Sequence, residues 1–198
     1  LLLFSSVFRR QDDDRHADAP LSSMRRSLPP SMPVPQFLDP MPPMLASALR
    51  PGGLHAVYQP IVRLEDNQVV AHEGLLRHSM ARCSPLELLD EARRCGQLGE
   101  LETHAAGVIA RSFDFERGGR LLVNFSAQAI VREALRPQQV IDSLQASGRD
   151  LGRFVIEITE RDVVEDVERL ADALGYLRAA GVRIALDDFG NGHSNFQL

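Results

Sequence analysis

An α/β fold on a parallel sheet, wound either as an open sheet or as a barrel, is what this sequence predicts. Two observations carry the prediction. From about Leu54 onward, short apolar runs of strand character alternate with stretches of helical spacing, and strand–helix alternation builds parallel sheets. Four of those strands also carry a carboxylate or an amide near the C-terminal end of the run, the end at which parallel barrels assemble their sites.

The elements follow in order. His55 to Val62 reads as a strand, with Pro60 marking an edge or a bulge. Asn67 is a turn residue, and Gln68 to Arg77 reads as a second strand. Ser84-Pro85-Leu86-Glu87 starts a helix: a hydroxyl cap, a proline in the first turn and a glutamate three residues after the cap. That helix ends at Gly96, and a second runs from Leu98 to about Arg111 before a Gly118-Gly119 turn. Leu121 to Ser126 is a short apolar strand, and a helix follows Pro137 and ends near Gly148. Phe154 to Glu160 is the next strand. Val163, Val167, Leu170, Leu174 and Leu177 recur at helical spacing, so a helix spans about Asp162 to Ala180. Gly181 closes it, Val182 to Asp188 is a strand, and Phe189 to Gly192 is a loop.

The first fifty residues have another character. Eight prolines fall between Pro20 and Pro43, and only four follow. Without a helical or alternating period, such a stretch cannot bury enough apolar surface to offset its ordering entropy. Residues 1–50 are therefore expected to be a proline-rich disordered linker or extension, and residues 51–198 the folded part.

Composition narrows the classes. A formal net charge of −5 argues against gripping a DNA or RNA polymer, which needs cationic side chains against phosphates. Cys83 and Cys95 form no metal-spaced pair and read as reduced thiols of a cytoplasmic protein. No apolar run approaches the roughly 18 residues needed to cross a bilayer. The chain begins with Leu1 and stops at Leu198, and reads as a piece of a longer protein, whose remainder could carry a membrane tether.

The chemistry lies at the strand ends. Glu73 follows Val69-Val70-Ala71-His72, Asn124 follows Leu121-Leu122-Val123, Glu157 sits between Ile156 and Ile158, and Asp187-Asp188 follow Ile184-Ala185-Leu186. A buried carboxylate is costly unless it is paired or binds a cation. One such residue is explained by a satisfied core polar group, but recurrence at corresponding strand ends points to a shared site. Oxygen donors converging there suit hard divalent cations such as Mg2+ or Mn2+.

These residues carry a resemblance. Tyr58-Gln59-Pro60-Ile61-Val62, Glu73-Gly74-Leu75-Leu76-Arg77, Val123-Asn124-Phe125-Ser126, Glu157-Ile158-Thr159-Glu160 and Leu186-Asp187-Asp188-Phe189-Gly190-Asn191-Gly192 resemble, in order and spacing, the motifs of EAL-family cyclic-di-GMP phosphodiesterases. The resemblance implies a TIM-like (β/α) barrel whose first strand runs antiparallel to the rest, incomplete in this chain. It implies two-metal hydrolysis of cyclic-di-GMP to the linear dinucleotide. Glu73, Asn124, Glu157 and Asp187 would be metal ligands. Asp188 would serve the second metal and orient the attacking water, and Gln59 and Arg77 would contact the dinucleotide. Glu160 would hold the loop from Phe189 to Ser194, which supports the aspartate pair and dimerisation. A homodimer is the partner this implies besides the dinucleotide, and the proline-rich stretch, of a kind that often joins a sensor to an output domain, points to an upstream sensor domain.

Some positions depart from the family pattern. Gly74 stands where alanine is usual, a change expected to be harmless. Asn191 and His193 replace a threonine and an aromatic in the loop. His72 is expected to face away from Glu73, and His55, His78 and His104 are given no role. The lysine, glutamate and glutamine of later family strands do not precede Leu198, so the 198 residues alone are expected to be inactive. The alternative is an EAL module that binds cyclic-di-GMP or a protein partner without hydrolysis.

Overall fold

The computed structural model describes residues 41–80, 82–132, 136–159 and 166–187. All of them belong to the second of two units into which the chain divides, residues 40–198.

Helix α1 spans Pro43–Ala48, strands β1 Leu54–Val62 and β2 Val69–His78, and helices α2 Pro85–Arg94 and α3 Leu98–Ser112. Strand β3 spans Arg120–Ser126, helices α4 Ala127–Arg132 and α5 Pro137–Gln145, strand β4 Phe154–Thr159, helix α6 Val167–Ala179 and strand β5 Arg183–Asp187. The strands form one sheet in chain order. Strand β1 is antiparallel to β2, and every later pair is parallel. This is the antiparallel-first (β/α) arrangement expected from the sequence, as far as the described residues extend.

The local signals act as their chemistry dictates. Asn67 takes a positive φ of 56° in the β1–β2 turn, a conformation asparagine tolerates better than most residues. Pro60 lies on β1, which is an edge strand among the described residues, and the register slips next to it between Ile61 and Val62. At α2 the reciprocal cap is complete: Ser84 Oγ accepts from Glu87 N–H at 3.1 Å, and Glu87 Oε2 accepts from Ser84 N–H at 3.1 Å. Asp166 caps α6 by accepting from Arg169 N–H at 2.9 Å.

The two faces of the sheet do different work. Leu121, Val123, Phe125, Phe154, Ile156 and Ile158 point to the helices and form the main core with α3, α5 and α6. Tyr58 joins it and donates its hydroxyl to Ile109 O at 2.8 Å. His72, next to Glu73, lies on this helix side with its ring 5.1 Å from that of Phe113, as alternation requires. The opposite face carries a small apolar floor of Ala71, Leu122 and Val155, with Ile61 and Ala185 packed on it.

The N-terminal boundary needs correction. The sequence reading ends the extension near Pro51, but Pro43–Ala48 is a helix with Leu45 and Ala48 fully buried. They pack with Leu54, Leu88, Leu98 and Leu101. Two polar contacts pin the helix. Glu91 Oε2 accepts from Leu45 N–H at 3.2 Å, and His78 Nε2 lies 2.9 Å from Ser47 Oγ. Hence His78, given no role by the sequence, is a buried structural tie. Residues 43–50 belong to the folded unit, while residues 1–40 lie outside the described residues.

Candidate active site

Side chains alternate along a strand, and directly paired residues share a face. Gln59 of β1 pairs with Glu73 of β2, and Asn124 of β3 pairs with Glu157 of β4. Glu73 pairs with Leu122, so Asn124 stands two residues beyond Glu73's direct partner and on the same face. Glu157 pairs with Ala185, so position 187 is again two residues beyond, on that face. The line Glu73, Asn124, Glu157, Asp187 therefore climbs the register by two at two of its three strand boundaries. Barrel strands tilt by roughly 35–45°, and a row across such a barrel climbs in register in this way.

Side-chain geometry ties part of this line together. Asn124 Nδ2 donates to Glu73 Oε1 at 2.8 Å, a hydrogen bond strengthened by the carboxylate charge. Both side chains are half-buried, and Glu157 is 6% exposed. The floor beneath them is apolar, so little water competes for the carboxylates from below. Gln59 is exposed on the same face. Arg77, two alternations beyond Glu73, is half-buried and donates through Nη1 to Leu76 O at 2.7 Å.

Glu73, Asn124 and Glu157 are thus brought to one face, with Gln59 and Arg77 beside them. Asp187 is placed only by its backbone, at the end of β5; its side chain lies outside the described residues, as do Asp188, Glu160, Asn191 and His193. Among the described residues no group of three or more His, Cys, Asp or Glu side chains could hold a metal ion. What they supply is two carboxylates flanking one amide. This all-oxygen donor set fits a hard divalent cation, with the backbone of Asp187 at the end of β5 next in line.

Two residues on or behind this face escape sequence reasoning. His55 pairs directly with Arg77, so it shares the site face at the strand ends. The signal for it was available: once Gln59 is set opposite Glu73, the antiparallel register fixes His55 opposite Arg77. Glu102 is a buried carboxylate, 8% exposed, in the apolar stripe of α3 formed by Leu98, Leu101 and Ala105. A charge at a core position of an amphipathic helix was the signal there.

A family model described as the EAL domain matches residues 43–198. The chain belongs to the EAL domain family. Its start agrees with α1 as the first element of the EAL unit. A cyclic di-GMP phosphodiesterase of Pseudomonas aeruginosa is 30% identical over 156 residues, covering 73% of this chain and 26% of that protein. The structure of the PaMucR phosphodiesterase in complex with cyclic di-GMP aligns with a TM-score of 0.62 at 26% identity, over 72% of this chain and 62% of that one. A Klebsiella pneumoniae BlrP1 structure with manganese and cyclic di-GMP aligns with a TM-score of 0.58 at 26% identity, over 78% of this chain and 42% of that one. The chain spans less than a third of the length of the curated relatives it matches. Among the described residues, no helix of this EAL chain is long and apolar enough to cross a membrane.

Proposed function

We propose that this EAL chain forms part of a cytoplasmic phosphodiesterase that hydrolyses one phosphodiester of cyclic di-GMP to give the linear dinucleotide. The observation that supports this most directly is the Asn124–Glu73 hydrogen bond on a face shared with Glu157, in a chain whose structural neighbours include a phosphodiesterase complexed with cyclic di-GMP. In this reading Glu73, Asn124, Glu157 and Asp187 hold divalent metal, Mg2+ or Mn2+, with Asp188 serving a second ion. When bound, such ions lower the pKa of water and stabilise charge on the attacking and leaving oxygens.

The chain's own residues do the rest. The Asn124 amide orients the Glu73 carboxylate, so one ligand arrives with its rotamer fixed. The buried Glu157 supplies charge where solvent screens it least. Arg77 offers a planar fork of donors to a phosphate, exchanging its present bond to Leu76 O for the anion. Gln59, exposed opposite Glu73, contacts the dinucleotide from the β1 side. Glu160 holds the loop over residues 189–194, and a second copy and an upstream sensor domain complete the assembly. Cys83 and Cys95 are both free thiols, which suits a reducing compartment.

Glu73→Gln in the full-length protein is the test. The amide is nearly isosteric, so the fold should survive while the metal loses a charged ligand. Turnover of cyclic di-GMP is expected to fall at least a hundredfold, with a wild-type melting temperature. A folded Glu73→Gln protein with unchanged Mn2+ affinity and rate would remove the metal-site assignment. Metal and dinucleotide binding without turnover in the wild type would mark a non-hydrolytic binding module.

A further inference from the structure

Glu102 is buried, and both of its carboxylate oxygens accept from the N–H of Ser126, at 3.2 and 3.1 Å. Ser126 is itself 6% exposed. It is the last residue of β3 and stands two residues beyond Asn124. Helix α4 begins at the next residue with no intervening loop, and Ser126 Oγ accepts from Ala129 N–H at 3.3 Å. A second strut reaches α4 where Arg93 Nε donates to Gln128 Oε1 at 3.0 Å.

Resting on the metal-site reading above, we propose that Glu102 is a positioning residue for Asn124. By gripping the Ser126 amide it fixes the depth at which β3 ends and turns into α4. That in turn fixes the backbone from which Asn124 reaches Glu73. A charged acceptor binds an amide more strongly than a neutral one. That strength matters where a strand turns into a helix without slack and a ligand side chain sits two residues back.

The test uses the full-length protein with Glu102→Gln and Glu102→Ala, beside Leu144→Ala as a stability control in α5. Two quantities are read: Mn2+ affinity by calorimetry, and the Asn124 side-chain NH2 signals by 15N NMR in metal-free protein. Glu102→Ala is expected to lose about tenfold in Mn2+ affinity, the low end for partners that orient metal ligands, and Glu102→Gln less. The Asn124 signals should move in both variants and stay in place in Leu144→Ala. A folded Glu102→Ala with wild-type affinity and unmoved Asn124 signals would show that Glu102 has no hold on Asn124 and would overturn the proposal. If that variant does not fold, the isosteric Glu102→Gln decides by the same two readings. If wild-type protein binds no Mn2+, the metal-site reading fails, and the Asn124 signals still decide whether Glu102 positions that side chain.

Discussion

At Gly74 the β2 backbone comes so close to α3 that a Cβ would overlap Ile109 Cγ2. The sequence reading treats glycine in place of the motif alanine as harmless; the structure makes it a packing requirement, because Ile109 occupies the space an alanine methyl would need. Gly74→Ala is expected to cost about 1–3 kcal/mol by overpacking, measured by urea unfolding. Combined with Ile109→Ala it should cost less than the sum of the two, with a coupling of about 0.5–3 kcal/mol. Strictly additive changes would show that the two residues do not compete for space. That Glu73, Asn124 and Glu157 share one face was legible at this scale because each interrupts an apolar run, a pattern visible without neighbours. The Gly74–Ile109 fit was not, because residues 35 positions apart meet only through the packing of α3 on β2. His55 also becomes visible only through register. His55→Ala is expected to raise the KM for cyclic di-GMP several-fold while leaving Mn2+ affinity unchanged. Equal KM values in the two proteins would place His55 outside the substrate's reach.

At the scale of elements, the strands and the capped helices were legible, and two short helices were not. The serine–proline–glutamate start of α2 and the strand–turn–strand of β1 and β2 are set by local chemistry, so sequence sufficed. Helix α4 has no cap before it that a sequence can show, since its cap Ser126 doubles as the end of a strand. Helix α1 was lost among prolines, although Pro43 at its first turn is a position where proline favours a helix. Helix α3 allows a test of its burial. His104 has its pKa lowered from 6.5, first by burial, then by the charge of Arg111, with Glu100 opposing. The unfolded chain therefore binds the proton more readily than the folded one. Stability contributed by neutral His104 is present above pH 6.5 and is lost as pH falls below that value toward the folded pKa. His104→Gln should flatten the melting temperature between pH 7 and pH 5 relative to wild type. An unchanged pH profile would mean that the imidazole is as solvated in the folded chain as in the unfolded one.

The whole molecule raises the question of where the folded unit begins. The proline density of residues 20–43 made the extension look uniform up to Pro51. Proline counts cannot reveal that Leu45 and Ala48 face a socket built from β1, α2 and α3, because the socket exists only after those elements have packed. Removing residues 43–50 would uncover Leu54, Leu88 and Leu98, each 5% exposed or less. It would also take the Leu45 amide from Glu91 and the Ser47 hydroxyl from His78. Burial of one leucine is worth about 2–5 kcal/mol when truncated to alanine, and each lost hydrogen bond adds about 1 kcal/mol. A form of the protein starting at Pro43 should therefore melt with the protein that keeps its upstream residues. One starting at Pro51 should melt on the order of 10 °C lower, since a unit of this size shifts by roughly 2–4 °C per kcal/mol. The loss should reach the site as well, because His78, freed of its tie, directly follows Arg77 at the end of β2. Dinucleotide affinity should then fall more than Mn2+ affinity, whose proposed ligands Glu73, Asn124 and Glu157 lie farther along the sheet from His78. Equal melting temperatures for the two starts would return α1 to the extension and restore the boundary at Pro51. A lower melting temperature with both affinities intact would keep α1 in the fold but remove its link to Arg77.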